Sequence, residues 1–112
     1  QVMERPNVMF AGQITGVEGY VESTASGFLC AVELARRLLD KPPVDFPQET
    51  ALGALALYVS NESVGDFQPM NANFGILAPL PEKIRDKRER YAALADRALD
   101  AVRKIAGSGA AL

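Results

Sequence analysis

Histidine and tryptophan are absent from this 112-residue chain, and cysteine occurs once. Without histidine there is neither a Ser-His-Asp triad nor a metal centre of the His/Cys kind. Cys30 has no partner for an internal disulfide, which fits a reducing, cytoplasmic setting. No apolar run nears the ~20 residues that span a bilayer, and no basic-then-apolar leader opens the chain, so no membrane association is expected. The net charge of −2 gives no global attraction to nucleic acid. What remains is an ordinary apolar fraction of 48%. That suffices for a real core in one domain, or in part of one.

Glycine, in contrast, is concentrated. Val8-Met9-Phe10-Ala11 reads as a short buried strand, and Gly12, Gly16 and Gly19 follow within eight residues. Ser23-Thr24-Ala25-Ser26-Gly27 then leads into a helical pattern. Strand, glycine turn and helix N-terminus let a backbone approach a polar cofactor edge, because no Cβ intervenes and the first helical N–H groups lack partners. A purely structural turn uses glycine too, wherever φ is positive. The spacing is not the Gly-x-Gly-x-x-Gly dinucleotide fingerprint.

Three helices are expected. The first covers about residues 22–39, with Ser23 or Thr24 as cap and Phe28, Leu29, Val32, Ala35, Leu38 and Leu39 as its buried stripe. Arg36 and Arg37 sit in its last turns, and Lys41-Pro42-Pro43 stops it. The second covers about 48–60, with Gly53 explained by close packing against another helix. The third covers about 82–106, striped by Ile84, Tyr91, Leu94, Ala95, Ala98, Leu99, Val102 and Ile105, before Gly107-Ser108-Gly109 and a frayed tail. Residues 61–81 lack a period but are too apolar for disorder, and read as an ordered loop with one short strand at most. The division expected is residues 1–40 (strand, turn and helix), 41–81 (helix and loop) and 82–112 (basic helix and tail).

Few side chains suggest chemistry. Cys30 lies mid-helix in an apolar stretch and reads as a small buried hydrophobe rather than a nucleophile. Gln13 could serve a ring edge or its own turn, and Tyr20 could stack on a cofactor or pack in the core. In Phe67-Gln68-Pro69-Met70-Asn71-Ala72-Asn73-Phe74-Gly75, Gln68, Asn71 and Asn73 stand among aromatics. Such a mix holds a heterocycle, or simply builds turns. Residues 82–106 carry eight Lys/Arg against five Asp/Glu, with Lys83, Arg85, Lys87 and Arg88 clustered at the start. A basic half-helix tracks an RNA backbone or forms a solvated face. Cations at a helix start oppose the dipole.

The run Phe10-Ala11-Gly12-Gln13-Ile14-Thr15-Gly16-Val17-Glu18-Gly19-Tyr20-Val21-Glu22-Ser23 resembles the C-terminal flavin-contacting motif of the TrmFO family, FAD- and folate-dependent tRNA (uracil-5-)-methyltransferases. The related GidA family, which modifies the wobble uridine, has a similar segment. Glu49-Thr50-Ala51-Leu52-Gly53-Ala54-Leu55 and Phe67 to Leu77 favour TrmFO. The resemblance implies a mainly helical α/β fragment, the C-terminal part of a Rossmann-like flavoprotein whose nucleotide-binding N-terminal part and catalytic cysteine lie outside this segment. It implies FAD contacts at Gly12, Gln13, Thr15, Gly16, Gly19 and Tyr20. The loop would lie beside the methylenetetrahydrofolate and uracil pocket, with tRNA at Lys83, Arg85, Lys87 and Arg88 and NAD(P)H as the flavin's reductant. No catalytic residue and no metal are expected within the segment, which alone should be inactive. A helical RNA- or protein-binding domain is the non-enzymatic alternative.

Overall fold

The structure, a computed structural model, describes residues 1–60 and 67–107. Its helices are α1 (Tyr20–Leu38), α2 (Ala51–Ser60) and α3 (Lys87–Gly107), with 3-10 turns at Gln13–Thr15 and Phe74–Ile76. The mainly helical fragment is as expected. The expected strand at 8–11 is not formed, and no strand occurs among the described residues. A strand needs a lateral partner, and Val8 instead closes a local turn, its N–H donating to Arg5 O and its carbonyl accepting from Val2 N–H. A single parallel bridge, Val17 with Met70, is what stands in place of a sheet.

The helix starts differ from the periodicity-based limits. α1 begins two residues early, at N-cap Gly19, without a side-chain cap. Ser23 and Thr24 therefore lie inside it and bond backward, Ser23 Oγ donating to Val17 O and Thr24 Oγ1 to Tyr20 O. α3 begins five residues late. Asp86 Oδ1 accepts from Arg88 N–H at 3.3 Å, and Asp86 O accepts from Arg90 N–H. An acidic first position offsets the cations that follow it. α2 is described as far as Ser60, the last residue expected of it, and the expected stop and tail beyond Gly107 lie outside the described residues.

α1 turns its apolar face outward. Tyr20, Val21, Phe28, Leu38 and Leu39 are 55–86% exposed, so the stripe expected to be buried is largely in solvent. Leu29 and Val32 remain half-buried, and charged residues near the helix end also reach the rest of the chain. Arg36 is buried and donates from Nε to Pro42 O, while Arg37 reaches Glu33, Pro6 O and Gln1 Oε1. The buried apolar set is small: Val17, Val44, Ala54, Leu55, Leu77 and Leu94. A radius of gyration of 14.8 Å exceeds the about 13 Å of a close-packed chain this long. Cys30 is half-buried, not a core residue, and its Sγ donates to Phe10 O.

Buried Thr50 caps α2, Oγ1 accepting from Gly53 N–H at 3.0 Å and donating to Pro47 O at 2.8 Å. At Gly53 the tightest constraint is not a helix: a Cβ there would collide with the carbonyls of Phe46 and Pro47, in the extended segment just before α2. Gly53→Ala should therefore destabilise the chain, although alanine favours a helix by about 1 kcal/mol. An unfolding midpoint in urea that stays level or rises would refute this crowding.

Candidate functional site

The glycine turn is built on backbone conformation. Gly12 has φ 81° and ψ −156°, a region essentially closed to other residues, and Gly16 has φ 98°. Between them Gln13–Thr15 forms one 3-10 turn, closed by Thr15 Oγ1 donating to Gly12 O at 2.7 Å. Ser26, two turns into α1, fixes the entry: its Oγ accepts from Gly12 N–H at 2.8 Å. Gln13 is exposed and its Nε2 donates to Glu18 O, the local role. Tyr20 is 86% exposed and packs in no core.

The first intrahelical bond of α1 is Ser23 N–H to Gly19 O. The N–H groups of Tyr20, Val21 and Glu22 precede it and point out of the helix end. The Glu22 carboxylate already sits against Gly19. A second full negative charge is disfavoured there, so this end suits neutral acceptors, such as the carbonyls of a heteroaromatic ring, better than a phosphate.

The loop is brought directly onto this turn. Met70 N–H donates to Gly16 O at 2.9 Å, and Glu18 N–H donates to Met70 O at 3.0 Å. Gly16 is buried beneath Phe67, whose ring would be within 2.5 Å of any Cβ at that position. Ala72 N–H donates to Glu22 Oε1 at 3.2 Å. Phe67 stacks on Tyr58 at 5.3 Å, and Tyr58 Oη clasps both Gln68 O and Gln68 N–H. The candidate cofactor turn and the candidate heterocycle loop are thus one continuous surface. Asn73 Oδ1 caps the 3-10 turn by accepting from Gly75 N–H, and its Nδ2 donates to Asn71 O, while Asn71 and Gln68 are exposed.

The basic residues divide. Lys83 and Arg85 precede α3, so they do not form a half-helix with Lys87 and Arg88. Phe74 stacks on Tyr91 of α3 at 4.5 Å, with Lys87 and Arg90 each 5.5 Å from the Tyr91 ring. Loop and basic segment therefore adjoin. A cleft of about 880 Å³ opens there, lined among others by Phe74, Ile84, Arg85, Arg90 and Tyr91. Arg97 of α3 ties the segment before it to the helix by donating to Ala78 O and Pro79 O. Sequence reasoning passed over Glu22, Ser26, Tyr58 and Arg97, whose roles depend on partners 10–50 residues away. Only Glu22, three residues after a helix start, carried a local signal.

Among the described residues no group of three His, Cys, Asp or Glu could hold a metal ion. The backbone-lined turn and the polar loop form one candidate binding surface. Residues 1–42 match the family model described as glucose inhibited division protein A. Over nearly the whole chain it is similar to proteins named methylenetetrahydrofolate–tRNA-(uracil-5-)-methyltransferase TrmFO. That of Enterococcus faecalis is 55% identical over 100 residues, covering 89% of this chain and 23% of that protein. That of Listeria innocua is 53% identical over 106 residues, 95% of this chain and 24% of that protein. A Staphylococcus aureus relative is 54% identical over 101 residues, 89% and 23%. The resemblance expected from the motifs is borne out, and the chain spans about a quarter of the length of the curated relatives it matches.

The turn generates a contrast between its glycines. Gly12→Ala meets no close atom beyond Ser23 Cβ at 3.9 Å, so its cost is backbone strain alone, about 1–3 kcal/mol. Gly16→Ala adds the displacement of Phe67 and should cost more. Chemical denaturation of both variants checks the order, and near-ultraviolet circular dichroism of the tyrosines should change only for Gly16→Ala. An equal spectral response would remove Phe67 from this account.

Proposed function

We propose that this chain is part of a FAD- and folate-dependent tRNA methyltransferase that forms 5-methyluridine in the T-loop. The observation that carries the reading is the Val17–Met70 bridge, which sets the glycine turn against the Phe67–Gly75 loop. The identity to TrmFO proteins extends across both elements. The glycine cradle at Gly12 and the outward N–H groups of α1 fit a flavin's ring carbonyls. In that reading, the bound flavin supplies reducing equivalents drawn from NAD(P)H, and methylenetetrahydrofolate supplies the carbon. This chain's residues bind and orient: Gly12 and Gly16 admit the cofactor edge, and the helix end donates to it. The Gln68–Asn73 loop borders the folate and uracil side.

The outward apolar residues of α1 support a place within a longer polypeptide. Large exposed apolar patches mark interfaces, and the remaining three quarters of such a protein would supply the cover. The same remainder would hold the pyrophosphate and the nucleophile. The match of residues 1–42 to the GidA family model keeps a wobble-uridine modifier as the second reading.

FAD titrated into the 112-residue chain should give no stoichiometric micromolar binding by flavin fluorescence. The complete polypeptide should purify yellow and lose its flavin on Gly12→Val. Tight binding to the short chain, or unchanged flavin in the variant, overturns the assignment. For tRNA, Arg85→Glu with Arg88→Glu should weaken binding and lower the log–log salt slope by about two, with flavin content unaltered. An identical slope would make the basic segment a solvated face.

A further inference from the structure

Glu22 is half-buried on the first turn of α1, three residues after Gly19. Its Oε1 accepts from the Ala72 N–H across 50 residues of chain. Ala72 stands at the centre of the Asn71–Asn73 segment. Upstream, Met70 is fixed by backbone bonds to Gly16 and Glu18. Downstream, Asn73 is engaged with Asn71 O and Gly75 N–H. The Glu22 bond therefore runs from the middle of the loop to the cofactor end of the helix.

Gly19 makes room for it. With φ −69° and ψ 146°, Gly19 has a conformation that any residue adopts, so glycine is not required by the backbone. A Cβ there would instead meet the Glu22 carboxylate, with Oε1 at 2.6 Å and Oε2 and Cδ closer still. Here glycine keeps the carboxylate's place open. The helix dipole holds a carboxylate in that place, and a charged acceptor on a backbone N–H is among the stronger hydrogen bonds.

We infer that Glu22 is a positioning residue that couples the two halves of the site. It latches the Asn71–Asn73 segment to the end of α1, so that occupancy of the glycine turn and occupancy of the loop strengthen each other. The identity of the two ligands, flavin and folate, rests on the function proposed above, whereas the latch rests on the contacts alone. Coupling of this kind is reciprocal: a loop ligand that favours the latched state also tightens the cofactor.

Three variants of the complete polypeptide test it. Glu22→Gln keeps an acceptor but drops the charge, Glu22→Ala removes both, and Gly19→Ala leaves Glu22 but displaces its carboxylate. Amide exchange in the peptide containing Ala72 should accelerate about tenfold in Glu22→Ala and Gly19→Ala, and less in Glu22→Gln. In Glu22→Ala the KM for the folate donor should rise about tenfold with kcat little changed. Binding of the folate donor should tighten flavin in the wild type, not in Glu22→Ala, and partly in Glu22→Gln. Unchanged exchange in Glu22→Ala overturns the latch. Faster exchange with intact flavin–folate coupling overturns the positioning role and leaves a local structural bond. A colourless wild-type polypeptide overturns the flavin reading instead, while the exchange rates still decide the latch.

Discussion

The structure hangs on one rung of parallel pairing. Val17, 1% exposed, faces Met70, and two backbone hydrogen bonds flank the pair. Such bonds contribute only about 1 kcal/mol each. Their importance is positional, because they join the glycine turn to a loop some fifty residues later. The rung cannot extend. Gly16 has left-handed φ on one side and Gly19 opens a helix on the other. On the partner segment Pro69 has no N–H to donate. What would have grown into a sheet is held to a single contact, and the chain on either side is free to build turns.

The second constraint is the orientation of α1. Much of its apolar stripe (Phe28, Leu38 and Leu39) faces outward, while Glu22, Arg36 and Arg37 find backbone or side-chain partners within the chain. A soluble helix standing alone has the opposite arrangement. The inversion is economical only if another apolar surface covers the stripe, which ties the thin core to the quarter-length match with the relatives. Stability of this segment and the placement of its glycine turn then depend on the same cover.

Local chemistry made part of this legible in the sequence. The glycines at 12 and 16 announced positive φ and have it, and the apolar periods located all three helices. Their starts were not legible. Asp86 caps α3 where the period alone suggested residue 82, and Gly19 opens α1 with no capping side chain to signal it. The stripe of α1 was found, but much of it faces solvent and only Leu29 and Val32 are half-buried, because periodicity shows which residues share a face and not what that face meets. The apolar run 8–11 read as a strand for a similar reason: β character needs a neighbour, and the sequence does not display one. Gly19 and Gly53 looked like conformational or helix-packing glycines. Both instead make space, one for a carboxylate and one for two carbonyls.

These particulars fix what kind of site the segment forms. Its turn is held by Thr15 and Ser26 hydroxyls, its loop by backbone bonds to Gly16 and Glu18, and Asn73 is engaged in its own turn. The polar side chains mostly hold backbone in place, and the groups facing outward are N–H donors at the end of α1. A backbone surface of this kind is rigid and discriminates by shape and by acceptor position rather than by proton transfer. Under the proposed function, such a surface lets a chain without histidine, and with its one cysteine bonded to Phe10 O, serve by binding rather than by chemistry. The segment's contribution is the distance it sets between turn and loop, and Glu22 spans that distance.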